Sequence, residues 1–69
     1  METIKIRDEF IKLGQALKAA GLVESGVEAK IVIQNGEVLV NGGPELQRGK
    51  KLTGGEVISY NGQEIRIEK

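Results

Sequence analysis

Glycine and Asn-Gly pairs divide this chain into segments too short for a long helix or strand. The strongest breaks are Gly21, Asn35-Gly36 and Asn61-Gly62, because glycine and asparagine accept the left-handed backbone that ends helices and closes tight hairpins. At 69 residues the chain is near the lower size limit for a domain that folds alone. We therefore expect one domain, residues 1–69, built from short elements.

The first segments predict a strand followed by a helix. Thr3 to Arg7 alternates polar and apolar residues, which is typical of a short strand. Asp8 can then cap a helix from about Glu9 to Ala20 that ends at Gly21. The helical repeat points Lys12 and Gln15 outward and turns four apolar residues to one face: Phe10, Leu13, Leu17 and Ala20.

A second helix is predicted at about Gly26 to Gln34. Ser25 and Glu28 have the spacing of a capping box. Ala29, Val32 and Ile33 form the inward stripe, whereas Ile31 lies on the far side, so we expect this helix to be packed on two sides. Lys30 and Gln34 share an outward edge, where solubility and helix propensity alone are enough to explain them.

The remainder of the chain has the pattern of strands. Glu37 to Val40, Glu56 to Tyr60 and Gln63 to Glu68 are predicted, with turns at Asn41-Gly42-Gly43, Gly54-Gly55 and Asn61-Gly62. Ile65 and Ile67 fall on one face of the last strand. The order of elements predicts an α+β domain, with two helices packed on a small, mostly antiparallel sheet.

Composition removes several classes of function. The chain has no cysteine and no histidine, so it lacks the thiol nucleophile, the commonest general base and the commonest metal ligand. Its carboxylates are scattered among lysines. We expect no catalysis, no cofactor, no metal and no small-molecule substrate. No apolar run approaches the roughly 20 residues of a membrane span, and the N-terminus does not resemble a signal peptide. We expect a cytoplasmic protein.

The segment Gln47-Arg48-Gly49-Lys50-Lys51 is the main candidate for a binding site. The chain as a whole balances 10 basic against 10 acidic residues, yet no acid lies between Leu46 and Gly55. A local cationic loop suits a polyanion such as RNA, with Arg48, Lys50 and Lys51 on phosphates. The alternative is a solvated loop that keeps a small domain soluble.

The only aromatic residues, Phe10 and Tyr60, bear on the mode of binding. Phe10 falls in the core pattern, and base-stacking surfaces of common RNA-binding folds use several exposed rings. RNA contacts are therefore expected to be dominated by phosphate, sugar and shape.

Five runs of residues, in order over about residues 9 to 60, resemble the S4-like RNA-binding domain and its αL motif, and most closely its small stand-alone bacterial members. They are Leu13-Gly14-Gln15-Ala16-Leu17-Lys18, Ser25-Gly26-Val27-Glu28-Ala29-Lys30, Gly36-Glu37-Val38-Leu39-Val40-Asn41-Gly42, Arg48-Gly49-Lys50-Lys51-Leu52 and Gly55-Glu56-Val57-Ile58. The resemblance implies binding to structured RNA, commonly ribosomal RNA. Carried over by position, it implies contacts from Lys18, Lys30, Asn41, Gln47, Arg48, Lys50 and Lys51, and Gln34 extends that surface. Many S4 domains have Ser-Arg where this chain has Ser25-Gly26, which removes one expected phosphate contact.

The leading hypothesis is a monomeric, non-catalytic protein that binds structured RNA, and that serves as an accessory factor of the ribosome or its assembly. The main alternative is a protein–protein adaptor that uses a sheet edge, because the chain opens with a Thr-Ile-Lys-Ile strand. β-Grasp-like carrier proteins, which open with a similar strand, end in Gly-Gly, whereas this chain ends Ile-Arg-Ile-Glu-Lys. A small enzyme is the third class, disfavoured by the missing histidine and cysteine.

Overall fold

The structure is a computed structural model, and it describes residues 2–69. The chain forms β1 (Glu2–Lys5), β2 (Ile11–Lys12), α1 (Leu13–Ala19), α2 (Gly26–Gln34), β3 (Leu39–Val40), β4 (Gly43–Pro44), β5 (Lys51–Leu52), β6 (Val57–Tyr60) and β7 (Gln63–Glu68). Five strands form a sheet in the order β1-β7-β6-β3-β4, and β2 pairs with β5 as a separate ribbon. The predicted α+β architecture is confirmed, with one parallel pair, β1 with β7, in an otherwise antiparallel sheet.

The core lies between the helix pair and the sheet. Its fully buried side chains come from both layers: Leu13, Leu17, Ile33, Val38, Leu52, Ile58, Ile65 and Ile67. Ile65 and Ile67 face it together, as the alternation of β7 predicted. Ala29, Val32 and Ile33 of α2 are buried as well, which confirms the inward stripe of that helix.

The first helix is ended by Gly21, as the sequence predicted. Gly21 has a φ of 75°. The amide of Leu22 donates to the Leu17 carbonyl at 3.0 Å, and the amide of Gly21 donates to the Lys18 carbonyl at 2.9 Å. These are the two hydrogen bonds of a Schellman motif.

At the start of α2, the Ser25 hydroxyl accepts from the Glu28 amide at 3.1 Å. The Glu28 carboxylate reaches back one residue further than the capping box requires, to the amide of Glu24.

The predicted start of the first helix is wrong. Asp8 does not cap it, and α1 begins at Leu13 rather than Glu9. Ile11 and Lys12 form a strand instead, opposite Leu52 and Lys51. Pairing with β5, whose Leu52 is fully buried, outweighs the local helical pattern. Phe10 consequently lies outside the helix and is half-buried.

The second helix is packed on one side only. Ile31, expected to be covered by a second layer, is 53% exposed. Ala29 and Ile33 share one core with residues of α1 and the sheet, whereas Val27, like Ile31, is exposed.

Candidate nucleic-acid interface

A cleft of about 320 Å³ opens where the two helices meet the loop before β5. Three cations line it, together with one glutamine and three glycines, and none of these lining residues is acidic: Lys12, Gly14, Gln15, Lys18, Gly26, Arg48 and Gly49. We call this set the basic cleft. Because its positive side chains come from three separate parts of the chain, the fold creates a concentration of charge that net composition hides.

Backbone hydrogen bonds attach the loop to the start of α1. The amide of Leu13 donates to the Lys50 carbonyl at 2.9 Å, and the amide of Gly14 donates to the Arg48 carbonyl at 3.1 Å. The first amides of a helix have no partner within the helix. Here the loop supplies those partners, so Arg48 is held at a defined place beside the helix.

Gly14 allows Arg48 to lie against α1. A Cβ atom at residue 14 would stand 2.7 Å from the Arg48 Cγ and 3.3 Å from its Cδ. Gly14 does not need glycine for its backbone angles, because it lies within a regular helix. Glycine in a helix interior costs roughly 1 kcal/mol relative to alanine. Contact with the Arg48 side chain explains why this position has no side chain of its own.

Lys12 is a member of the basic cleft that sequence reasoning missed. It was placed on the outward face of a longer helix, but it pairs across the ribbon with Lys51. One sequence signal was present, the glutamine at the third position of the helix. In the structure Gln15 accepts a hydrogen bond from the Lys12 amide at 3.1 Å, as the third helical residue does in a capping box. Lysine lacks the side-chain oxygen that completes this motif, so the helix start was not recognisable.

A second cleft, of about 480 Å³, holds several other candidate residues. Lys50, Lys51 and Asn41 line it, but so do the carboxylates Glu45 and Glu56. We call it the mixed cleft. Its acidic groups reduce its attraction for an anion, so the cations of the loop do not form one uniform surface.

The remaining candidate residues are placed as follows. Asn41 is committed to the fold through its oxygen, which accepts from the Val57 amide at 3.0 Å, so only its side-chain NH₂ can donate to a ligand. Gln47 is exposed, and its backbone amide donates to the Glu45 carboxylate at 3.2 Å. Lys30 and Gln34 are exposed on α2 and lie outside both clefts.

Glu56 is a structural carboxylate at the turn before β6. Burial raises its pKa, but hydrogen bonds outweigh that effect and the net pKa is lowered from the ordinary value of 4.5. The donors are the amides of Thr53 and Gly54, at 2.9 and 2.8 Å, with contributions from its own amide and the Thr53 hydroxyl. These bonds favour the ionised carboxylate.

Glu56→Gln is expected to reduce the acid sensitivity of the fold. A group whose pKa is lowered by folding stabilises the protein above its unfolded pKa, and this contribution disappears as pH falls through the lowered folded pKa. The free energy of unfolding of wild type should therefore exceed that of the variant near neutral pH, by less than about 1 kcal/mol because solvent screens this partly exposed carboxylate, and the gap should close on acidification. Urea unfolding across pH measures this. Glu64→Gln is the matched control, since among residues 2–69 that exposed carboxylate accepts only a 3.5 Å bond from the Ser59 hydroxyl. A gap that stays constant with pH would contradict the assignment.

None of the helices in residues 2–69 is long and apolar enough to cross a membrane. Over the same residues no group of three or more histidine, cysteine, aspartate or glutamate side chains is arranged to hold a metal ion.

Comparison with known proteins relates this fold and cleft to one family. A model of the S4 domain matches residues 4–68. A protein named "Probable ribosome maturation protein RlbA" from Bacillus subtilis (strain 168) is 46% identical over 59 residues, covering 86% of this chain and 83% of that protein. YbcJ of Escherichia coli (strain K12) is 35% identical over 57 residues, covering 83% of this chain and 81% of YbcJ.

A solved structure agrees with the sequence matches. The solution structure of YbcJ from E. coli, described as revealing an αL motif involved in RNA binding, superposes with a TM-score of 0.76. It covers all of this chain and 89% of the YbcJ chain at 31% identity. With a family match over nearly the whole chain and the same arrangement of helices, loop and sheet, this protein belongs to the S4 domain family.

Proposed function

We propose that this protein is a non-catalytic, cytoplasmic RNA-binding protein that acts as a single S4-like domain and as a monomer. Its ligand is structured RNA, with ribosomal RNA as the first candidate, and its role is that of an accessory factor in ribosome maturation. The single observation that carries the proposal is the basic cleft, which is lined by three cations and by no acidic residue on a chain of zero net charge. The names of the relatives, ribosome maturation for one and RNA binding for another, support the same assignment.

Within the proposed site the cations have unequal roles. Arg48 and Lys18, joined by Lys12, are the main phosphate contacts, because they share the acid-free cleft. Lys50 and Lys51 are secondary contacts, since Glu45 and Glu56 stand among them. Lys30, Gln34 and Gln47 extend the surface beyond the two clefts, and the Asn41 amide adds a donor within the mixed cleft.

Gly26→Arg is expected to strengthen RNA binding, which makes it a test of the proposed site by gain of function. Gly26 is the first residue of α2 and lines the basic cleft, and a Cβ there meets no atom within 4 Å. An arginine can therefore enter without displacing the fold, at the position where many S4 domains have one. One added phosphate contact should raise affinity for structured RNA by roughly three- to tenfold and steepen the log–log salt slope by about 0.7 to 0.9.

The matched control for this gain is Gln63→Arg, which adds the same charge at an exposed position of β7 outside the basic cleft. Affinities of both variants for a ribosomal RNA fragment are compared by filter binding or fluorescence anisotropy. Equal gains in the two variants would indicate a general charge effect and would contradict the assignment of the basic cleft as the RNA-binding site.

A further inference from the structure

Phe10, the only phenylalanine of the chain, lies outside the hydrophobic core. It is half-buried, and the ammonium of Lys51 stands 4.8 Å from the centroid of its ring. Lys51 is itself exposed. One face of the ring is therefore in contact with an exposed charged side chain.

Phe10 contacts a residue of one cleft and lies close in the chain to a residue of the other. Phe10 directly precedes β2, two residues before Lys12. Lys12 lines the basic cleft, and its cross-strand partner Lys51 lines the mixed cleft. An RNA strand held by both Lys12 and Lys51 would therefore pass close to the Phe10 ring.

Two paired lysines with an aromatic ring against one of them have a direct use in nucleic-acid binding. Like charges directly opposite each other in a strand pair destabilise the pairing, so Lys12 and Lys51 gain from an anion placed between them. Aromatic rings near phosphate-binding cations commonly stack on bases that are not paired. Base stacking is stronger than a cation–π contact at an exposed site, so a base can displace the Lys51 ammonium from the ring.

We propose that Phe10 is a stacking site for one unpaired nucleobase of the bound RNA, with Lys51 moving from the ring to a neighbouring phosphate. This inference rests on the proposed function and specifies its ligand. The preferred RNA has a bulged or looped nucleotide beside a helix, not a continuous duplex. One ring contacts one base, and since every base has a π face, the site selects for an unpaired nucleotide rather than for a sequence.

The test compares Phe10→Leu and Phe10→Tyr with wild type on two RNA hairpins that differ only in a single bulged nucleotide. Phe10→Leu should weaken binding to the bulged hairpin by about fivefold or more and leave the uninterrupted hairpin unaffected. Its salt slope should equal that of wild type, because no phosphate contact is removed. Phe10→Tyr keeps the ring and should bind as wild type does. Circular dichroism verifies that each variant is folded.

A second readout uses Phe10→Trp. The chain has no tryptophan, so this variant contains a single indole, whose fluorescence should be quenched by the bulged hairpin and much less by the uninterrupted one. Arg48→Ala is measured alongside. If Arg48→Ala weakens binding while Phe10→Leu has no effect on the bulged hairpin, or an equal effect on both hairpins, the stacking site is wrong and the proposed function stands. If neither substitution matters, the RNA-binding proposal itself fails.

Discussion

Replacing Lys18 and Arg48 together by glutamate is expected to weaken binding to structured RNA by roughly a hundredfold or more at physiological salt. The two side chains line the same cleft but belong to different elements, α1 and the loop before β5. Each lysine or arginine on a phosphate contributes both attraction and release of counterions. Charge reversal removes these contributions and adds repulsion. Both residues are exposed, so the fold should be little affected.

The matched control reverses one lysine and one arginine elsewhere. Lys5 and Arg66 are exposed on β1 and β7 and lie outside both clefts. Lys5→Glu with Arg66→Glu produces the same net charge and should weaken binding far less. A third variant, Lys50→Ala with Lys51→Ala, should reduce affinity less than Lys18→Ala with Arg48→Ala, because acidic neighbours share the mixed cleft. Equal losses from the reversal at Lys18 and Arg48 and from the control would contradict the assignment of the basic cleft.

Gly14→Ala is expected to impair RNA binding about as much as Arg48→Ala does, although residue 14 carries no charge. The new methyl group would stand 2.7 Å from the Arg48 Cγ, in the middle of that side chain, so the arginine must leave its place against α1. The same methyl group should otherwise favour the helix by up to about 1 kcal/mol, the value for a helix interior, since residue 14 lies in the first turn of α1. When Gly14→Ala is made in the wild-type background, the clash with Arg48 and the gain in helix propensity oppose each other. When it is made in the Arg48→Ala background, only the propensity gain remains.

A double-mutant cycle separates these effects. Urea unfolding and RNA affinity are measured for wild type, Gly14→Ala, Arg48→Ala and the double variant. In the Arg48→Ala background, Gly14→Ala should raise the free energy of unfolding by up to about 1 kcal/mol and leave RNA affinity unchanged. Gly49→Ala is the control, because a Cβ there meets no atom within 4 Å. Additive effects on both quantities would show that Gly14 does not position Arg48.

The features that sequence reasoning predicted correctly are encoded within a few residues. Gly21 ends α1 in a Schellman motif, and Asn61-Gly62 closes the β6–β7 hairpin with φ values of 52° and 78°. Such turns depend on the intrinsic backbone preferences of glycine and asparagine. The α+β architecture followed because these local breaks determine which segments are helical and which are extended.

The features that were missed depend on partners far away in the chain. Ile11 and Lys12 are extended because they pair with Leu52 and Lys51, and a two-residue strand has no periodicity to detect. Gly14 is explained only by Arg48, which the helical pattern of α1 cannot show. The separation of the loop cations between two clefts likewise depends on the placement of Glu45 and Glu56 in space.

The salt dependence of RNA binding tests most directly whether converging phosphate contacts hold the ligand. With about four or five phosphates neutralised, the logarithm of the association constant should fall with the logarithm of salt concentration at a slope near −3 to −4 for wild type. Lys18→Ala with Arg48→Ala should bring that slope closer to zero by about 1.5 to 2. A nearly flat wild-type slope, or a variant slope unchanged from it, would contradict the account.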